Sequence, residues 1–181
     1  MHRLAFAVSL FVASTTAWGE DLAQEPRAPQ WPSQVTVIKV APGQRVHVPS
    51  VVGRGVKPHE LPMASCIPRS QENQFRGDLK LFATTLPAHA NLVVTVTPDK
   101  SSRRVSVFAY AIDRNRLDLP DARASARTCK WATRTSSVDR KHPTEVRLKG
   151  RDVEESVVIG VSGPGEMTDA PFTLALDLTS P

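Results

Sequence analysis

The chain has few cysteines, few aromatic residues and no long apolar stretch, and each shortage excludes a class of protein. Its 181 residues include two cysteines and one tyrosine, and aromatic residues make up 6% of the chain. Two cysteines are too few for a disulfide-rich scaffold, and no apolar run reaches the roughly 18–20 residues that a transmembrane helix needs. Neither a Gly-x-Ser-x-Gly nucleophile motif nor a His-Glu-x-x-His zinc motif is present. The sequence therefore predicts no membrane insertion and no cofactor.

The first 19 residues have the pattern of a secretory signal peptide. Arg3 precedes an apolar run over residues 4–13, and Ala17-Trp18-Gly19 forms a small-x-small cleavage site. Residues 20–34 carry three prolines and no periodic apolar pattern, which predicts an extended N-terminal arm. No cysteine stands at the cleavage site for lipid attachment. We therefore expect a periplasmic or secreted protein.

The charge of the chain is modest and scattered. The formal net charge is +5 at pH 7, but the arginines form no continuous run and few aromatic residues lie among them. This pattern is typical of a solvated surface or of a protein with an anionic partner, such as an acidic glycan or an acidic protein. It does not predict nucleic-acid binding.

Apolar residues recur with a period of two along most of residues 35–181, which predicts β-strands. Residues 35–48 indicate a hairpin around the turn Ala41-Pro42-Gly43. Residues 105–112 are apolar on both faces, as in a central strand, whereas residues 172–178 alternate as in a half-buried strand. We expect one all-β domain, an antiparallel β-sandwich of about eight strands that is jelly-roll-like or immunoglobulin-like.

Two long irregular stretches, 49–77 and 113–143, interrupt the strands, and each carries one of the two cysteines. In an oxidising compartment an even number of cysteines favours pairing, and two cysteines allow a single connectivity. The sequence therefore predicts a Cys66–Cys129 disulfide that joins two loops at one end of the sandwich.

Four segments together resemble the bacterial pre-peptidase C-terminal domain. In that family a proline-led turn opens a strand, a second strand alternates apolar and aromatic residues, and a buried Val-x-Gly strand precedes a glycine turn and a closing aromatic strand. The corresponding segments here are 87–97, 105–110, 155–163 and 172–176. The resemblance implies a non-catalytic accessory sandwich of the kind attached to secreted enzymes.

The site, if the chain is such a module, is expected where the two loops meet. Trp131 lies two residues after Cys129 and is flanked by two cations, Lys130 and Arg134. An aromatic ring beside cations could stack on a sugar or peptide and pair with a carboxylate or phosphate. Trp131 could equally pack on the disulfide. The sequence predicts a binding module for an exported protein or glycan, and it leaves the oligomeric state open.

The alternative is a secreted hydrolase or a metal-dependent enzyme with a site scattered over the same loops. Its candidate residues are His59, Glu60 and Asp113. A calcium site is a related possibility, because Asp113, Asn115 and Asp118 supply oxygen ligands. An EF-hand is excluded, since Asp118 occupies the position that requires glycine.

Overall fold

The structure is a computed structural model, and it describes residues 31–52, 67–99, 104–114, 128–133, 143–165 and 169–180. The described residues form nine β-strands and a 3₁₀ helix, Arg69–Phe75. The strands are β1 (Val35–Val37), β2 (Gln44–Val52), β3 (Lys80–Leu86), β4 (Asn91–Pro98), β5 (Ser106–Asp113), β6 (Thr128–Ala132), β7 (Thr144–Lys149), β8 (Glu155–Ser162) and β9 (Ala170–Thr179). The predicted all-β class is confirmed. The predicted signal peptide and most of the arm lie outside the described residues.

The strands form two sheets packed face to face. One sheet has five strands in the order β1-β3-β8-β5-β6, and the other has four in the order β2-β9-β4-β7. All pairings are antiparallel except that of β1 with β3, which is parallel. The chain passes from one sheet to the other after every strand except β5, which is followed by β6 in the same sheet. These crossings make a β-sandwich, as predicted.

The inner core lies between the sheets and follows the alternation that the sequence shows. Phe172, Leu174, Leu176 and Leu178 of β9 are all buried there, while Thr173 and Asp177 are half-buried on the opposite face. The ring of Phe172 meets the ring of Phe82, on β3 of the other sheet, edge to face at 6.2 Å between centroids. The predicted half-buried final strand is therefore confirmed.

The five-stranded sheet is also covered on its outer face. On β5, Val107 and Ala109 belong to the inner core, whereas Phe108, Tyr110 and Ile112 belong to a second apolar cluster outside the sheet. The 3₁₀ helix contributes Phe75 to this second cluster. Strand β5 pairs with β8 on one side and β6 on the other, so the prediction of a central strand covered on both faces is confirmed.

The predicted hairpin over residues 35–48 is wrong. Strand β1 pairs with β3 in the five-stranded sheet, but β2 pairs with β9 in the four-stranded sheet. The turn between them places Gly43 at φ 79° and lets its N–H donate to the carbonyl of Leu178, which attaches the chain to the second sheet. The predicted turn does form, but it connects strands of two different sheets instead of two neighbouring strands of one sheet.

The two predicted loops are partly strand. Strand β2 runs through Pro49 to Val52, which is possible because β2 is an edge strand, where a missing N–H need not face a neighbour. Strand β6 lies inside the second predicted loop and contains Cys129, Lys130 and Trp131. These three residues were predicted to lie in a loop, but they belong to a strand. The strand was missed because an alternating pattern of five residues is too short to be distinguished from its polar neighbours.

Candidate functional site

A row of aromatic rings covers the outer face of the five-stranded sheet. Phe75 and Phe108 are 5.9 Å apart between ring centroids, and Phe108 stacks on Tyr110 at 6.1 Å with an angle of 8° between the rings. Phe108 lies across Gly160 of β8, where an added Cβ would overlap its ring. The absence of a side chain at Gly160 therefore leaves space for the Phe108 ring to lie against the sheet.

Tyr110 is the tyrosine of this row and is 7% exposed. Its removal from water disfavours the phenolate, and burial raises its pKa from the ordinary value of 10.0 to about 12. The unfolded chain therefore releases the phenol proton near pH 10 while the folded chain retains it. The stabilisation from keeping Tyr110 neutral is complete below pH 10 and is lost as the pH rises to about 12.

Alkaline titration should show this directly, since the chain contains one tyrosine. We expect the phenolate absorbance of the folded protein to rise with a midpoint near pH 12, against about 10 in denaturant. The free energy of unfolding should fall by roughly 2–3 kcal/mol over that interval, and Tyr110→Phe should remove this part of the loss. A native midpoint near pH 10 would contradict the burial of this hydroxyl.

Strand β6 separates the predicted binding residues. Trp131 pairs with Phe108 and packs, half-buried, against the outer-face cluster. Lys130 pairs with Ala109 of the inner-face set and is exposed at the edge of the sheet. Neighbouring residues of a strand point to opposite faces, so the ammonium group and the indole do not form one surface. Arg134 lies outside the described residues.

Cys129 lies on the outer face beside Trp131, where it packs against the second cluster. The described residues contain no free thiol, and Ile67, the residue after Cys66, is buried in the same cluster. Cys66 itself lies outside the described residues. The neighbourhood of Ile67 and Cys129 is compatible with the predicted pairing, which stays a prediction.

The residues proposed for an enzyme or a calcium site are not brought together in the described part of the chain. Asp113 ends β5, opposite Glu155. His59, Glu60, Asn115 and Asp118 lie outside the described residues. Within those residues, no three histidine, cysteine, aspartate or glutamate side chains are placed to hold a metal ion.

Glu155 is a buried carboxylate that sequence reasoning missed. It begins β8, and its side chain is 2% exposed, with Oε1 3.5 Å from Nε of Arg151. Neither carboxylate oxygen has a hydrogen-bond partner among the described residues. Arg151 is half-exposed and offers the nearby charge that a buried carboxylate requires. We interpret the pair as a structural contact at this end of the sandwich.

An open groove lies along the free edge of the five-stranded sheet. At the opposite edge β6 lies against β7, but between β1 and β2 the sandwich leaves a groove of about 610 Å³. We call it the β1 groove. Its lining includes Trp31, Val35, Val37, Ile38, Val40 and Thr84.

Most of the lining of the β1 groove is apolar, with a few polar groups at defined points. Thr84 is 4% exposed, and its hydroxyl has no hydrogen-bond partner within the described residues. Lys39 and Gln44 also line the groove and are exposed. Apolar walls with a few polar groups are the usual composition of a ligand site.

Sequence reasoning missed the β1 groove. The sequence predicted an extended arm over residues 20–34, which include Trp31, and a hairpin over residues 35–48. The signal was available in the pattern itself, because Val35-Thr36-Val37 is followed by Ile38, so that apolar residues fall on both faces of a very short strand. Such a strand can pack against the core and still leave one of its edges without a neighbouring strand.

No protein-family model and no curated protein matches the sequence, but several solved structures are similar to this one, including the following three. One is the pre-peptidase C-terminal domain of a collagenase from Bacillus anthracis, with 6% identity, coverage of 83% of this chain and 99% of that one, and a TM-score of 0.41. The second is CorA, a surface-associated copper-binding protein important in copper acquisition by Methylomicrobium album BG8 (7% identity, coverage 81% and 98%, TM-score 0.41). The third is PliG, a periplasmic inhibitor of g-type lysozyme from Aeromonas hydrophila (14% identity, coverage 80% and 96%, TM-score 0.36).

The first of these proteins is a pre-peptidase C-terminal domain, the family that the sequence resembles, and the match covers 83% of this chain. Within the described residues, no helix is long and apolar enough to cross a membrane.

Proposed function

We propose that this chain is an exported, non-catalytic module that binds a protein partner through the β1 groove. The observation that carries the proposal is the groove itself, an apolar opening of about 610 Å³ at the unsealed side of an otherwise packed sandwich. Apolar surface left in water is unfavourable by roughly 25 cal/mol for each Å². A partner that covers Trp31 and Val37 would recover that free energy.

The buried Thr84 hydroxyl supports the same proposal. An unpartnered polar group in a dry environment destabilises a fold by about 1–3 kcal/mol, and such groups in native proteins call for an explanation. Thr84 lines the groove, so a partner segment that enters the groove would bring polar groups close to Thr84 Oγ1. The similar proteins include a surface-associated protein and a periplasmic one, in line with export.

The test fills the groove without touching the core. Ala41 lines the β1 groove and is exposed, so Ala41→Trp should occupy the opening and leave the fold intact. Ala88→Trp, in the turn between β3 and β4, is the matched control. We expect wild type and the control variant to capture the same exported proteins from the native secretome and Ala41→Trp to lose them at least about tenfold.

A spectroscopic readout makes the test specific to the groove. In a Trp131→Phe background, Trp31 is the tryptophan that remains after residues 1–19 are removed, so its emission should shift to shorter wavelength when a captured partner is added. The proposal would be overturned if Ala41→Trp still captured the partner and if, in the Trp131→Phe protein with Ala41 unchanged, Trp31 emission did not shift. Turnover of a substrate that depends on His59 would favour the enzyme instead.

The residues singled out from the sequence form a second, separate proposal. Exposed Lys130 and half-buried Trp131 lie on edge strand β6, at the opposite edge of the sheet from β1. We propose that Lys130 and Arg134 steer an anionic partner, so that Lys130→Ala/Arg134→Ala should weaken capture at low salt and leave it unchanged at high salt. Equal capture by both forms at low salt would remove these cations from the binding surface.

A further inference from the structure

We propose that β1 accepts an extended segment of the partner protein as an added strand, with an apolar residue against Val37 and an acidic residue near Lys39. This inference rests on the proposed function and names the kind of partner that the β1 groove takes. Its basis is the edge of β1 that faces away from β3.

On the side of β1 away from β3, the N–H of Val35 donates to the carbonyl of Pro32, and Val37 offers the remaining backbone groups. The N–H of Ile38 donates to the carbonyl of Ala83 on β3 at 2.8 Å. Successive peptide groups of a strand point in opposite directions, so the N–H and C=O of Val37 face away from β3. Strand β1 ends its sheet, and no described strand pairs on that side. A strand laid along this edge would find a donor and an acceptor at Val37.

The other edge strands are protected against such pairing, and β1 is not. Edge strands are commonly blunted by charged side chains and prolines, which prevent another chain from adding to the sheet. Strand β2 carries Arg45 and Pro49, β6 carries Lys130, and β7 alternates three charges from Glu145 to Lys149. Strand β1 reads Val-Thr-Val, with neither a charge nor a proline. The sequence thus leaves one edge open for strand addition.

The groove also defines which side chains the added strand should carry. Val37 is 51% exposed, one of two large apolar side chains exposed to this degree among the described residues. An apolar residue of the partner would cover it, as alternate side chains do in strand addition. Lys39 is exposed two residues further on, beside the same groove, and favours a carboxylate on the partner. A parallel pairing with a second copy would set Lys39 against Lys39, and like charges disfavour that arrangement.

The experiment uses a defined probe and the whole chain. The probe is a fluorescein-labelled hexapeptide, Val-Thr-Val-Glu-Val-Thr. A second peptide of the same sequence has alternate amides N-methylated, so that one edge of its strand lacks N–H donors. N-methylation removes hydrogen-bond donors without changing the side chains. If the probe adds to β1, the N-methylated form should bind about tenfold more weakly by fluorescence anisotropy, because it loses at least one backbone hydrogen bond that the first form makes.

Two variants of the protein test the same interaction by changing the protein instead of the peptide. Val37→Lys places a charge at the open edge and should weaken the probe at least about tenfold. Val153→Lys makes the same change at the other exposed valine, which is 55% exposed and lies away from the groove, and should bind as wild type does. Both substitutions are at exposed side chains, and matching thermal melts should show that both variants fold. The probe with lysine in place of glutamate should bind several-fold more weakly because it repels Lys39.

Failure of this inference differs from failure of the proposed function. If Ala41→Trp abolishes capture of the native partner but Val37→Lys and N-methylation change nothing, the groove binds a partner without strand addition and the inference is overturned. No binding of the probe to wild type at millimolar concentration also overturns it. So does a wild-type dimer in sedimentation that Val37→Lys dissociates, since a second copy would then occupy the edge.

Discussion

Replacing Cys129 with serine is expected to lower the free energy of unfolding by about 2–5 kcal/mol. The proposed Cys66–Cys129 disulfide closes a large ring, for which the chain-entropy model gives a stabilisation on the order of 4 kcal/mol. Cys129 is not a free thiol, and it packs in the cluster that also contains Ile67. Urea unfolding at equilibrium measures the loss. Mass analysis without reductant should find the folded protein two hydrogens lighter than its dithiol form.

The matched control is the same substitution at the other cysteine, Cys66. Cys66→Ser should destabilise the protein as much as Cys129→Ser does, and the double variant should lose no more than either single one, because both changes remove the same bond. The strands should persist in cold buffer in all three variants, since most of the inner core lies outside the two segments that carry the cysteines. Two titratable thiols in freshly exported wild type would contradict the pairing.

Strands that alternate over many residues could be predicted from the sequence. Residues 144–149 alternate between buried and exposed positions as expected, and residues 105–112 are buried on both faces. Residues 172–178 alternate except at Ala175, which was predicted to face out and is buried. These patterns are reliable because a sheet face that meets a core requires an apolar residue at every second position. The sandwich follows, because so many one-sided strands can bury their apolar faces only against another sheet.

Pairing partners could not be predicted in the same way. The turn at Ala41-Pro42-Gly43 has the composition of a hairpin, but hairpins and inter-sheet turns use the same residues. Which of the two forms depends on whether β1 finds a better neighbour, and it finds β3, more than forty positions along the chain. Such long-range choices follow from the packing of the whole domain.

The candidate site was missed for a related reason. A groove exists only once two sheets are placed, so Trp31, Val37 and Thr84 carry no local signature as a group. The aromatic that did attract attention, Trp131, supports the outer-face cluster while its neighbour Lys130 points the other way. Adjacency in sequence suggested one surface, and the alternation of a strand divides it.

Phe172→Ala should give the largest loss of stability of any change discussed, about 3–5 kcal/mol, because it empties a fully buried site between the sheets. The expected fall in melting temperature is roughly 6–20 °C. Phe172 meets Phe82 edge to face, and Phe82 is the register partner of Thr36, so this contact lies next to β1. Thr173→Ala is the control, a half-exposed neighbour whose loss should stay within about 0.5 kcal/mol.

A double-mutant cycle with Phe82→Ala tests whether the two rings join the sheets. The coupling energy between them should be about 0.5–1.5 kcal/mol, as for other edge-to-face pairs. Because the pair lies next to β1, we also expect each single variant to weaken the hexapeptide probe, since β1 would be held less firmly against the core. Stability lost without any loss of probe binding would mean that β1 keeps its position independently of the Phe82–Phe172 contact. Zero coupling would mean that the two rings stabilise the fold independently of each other.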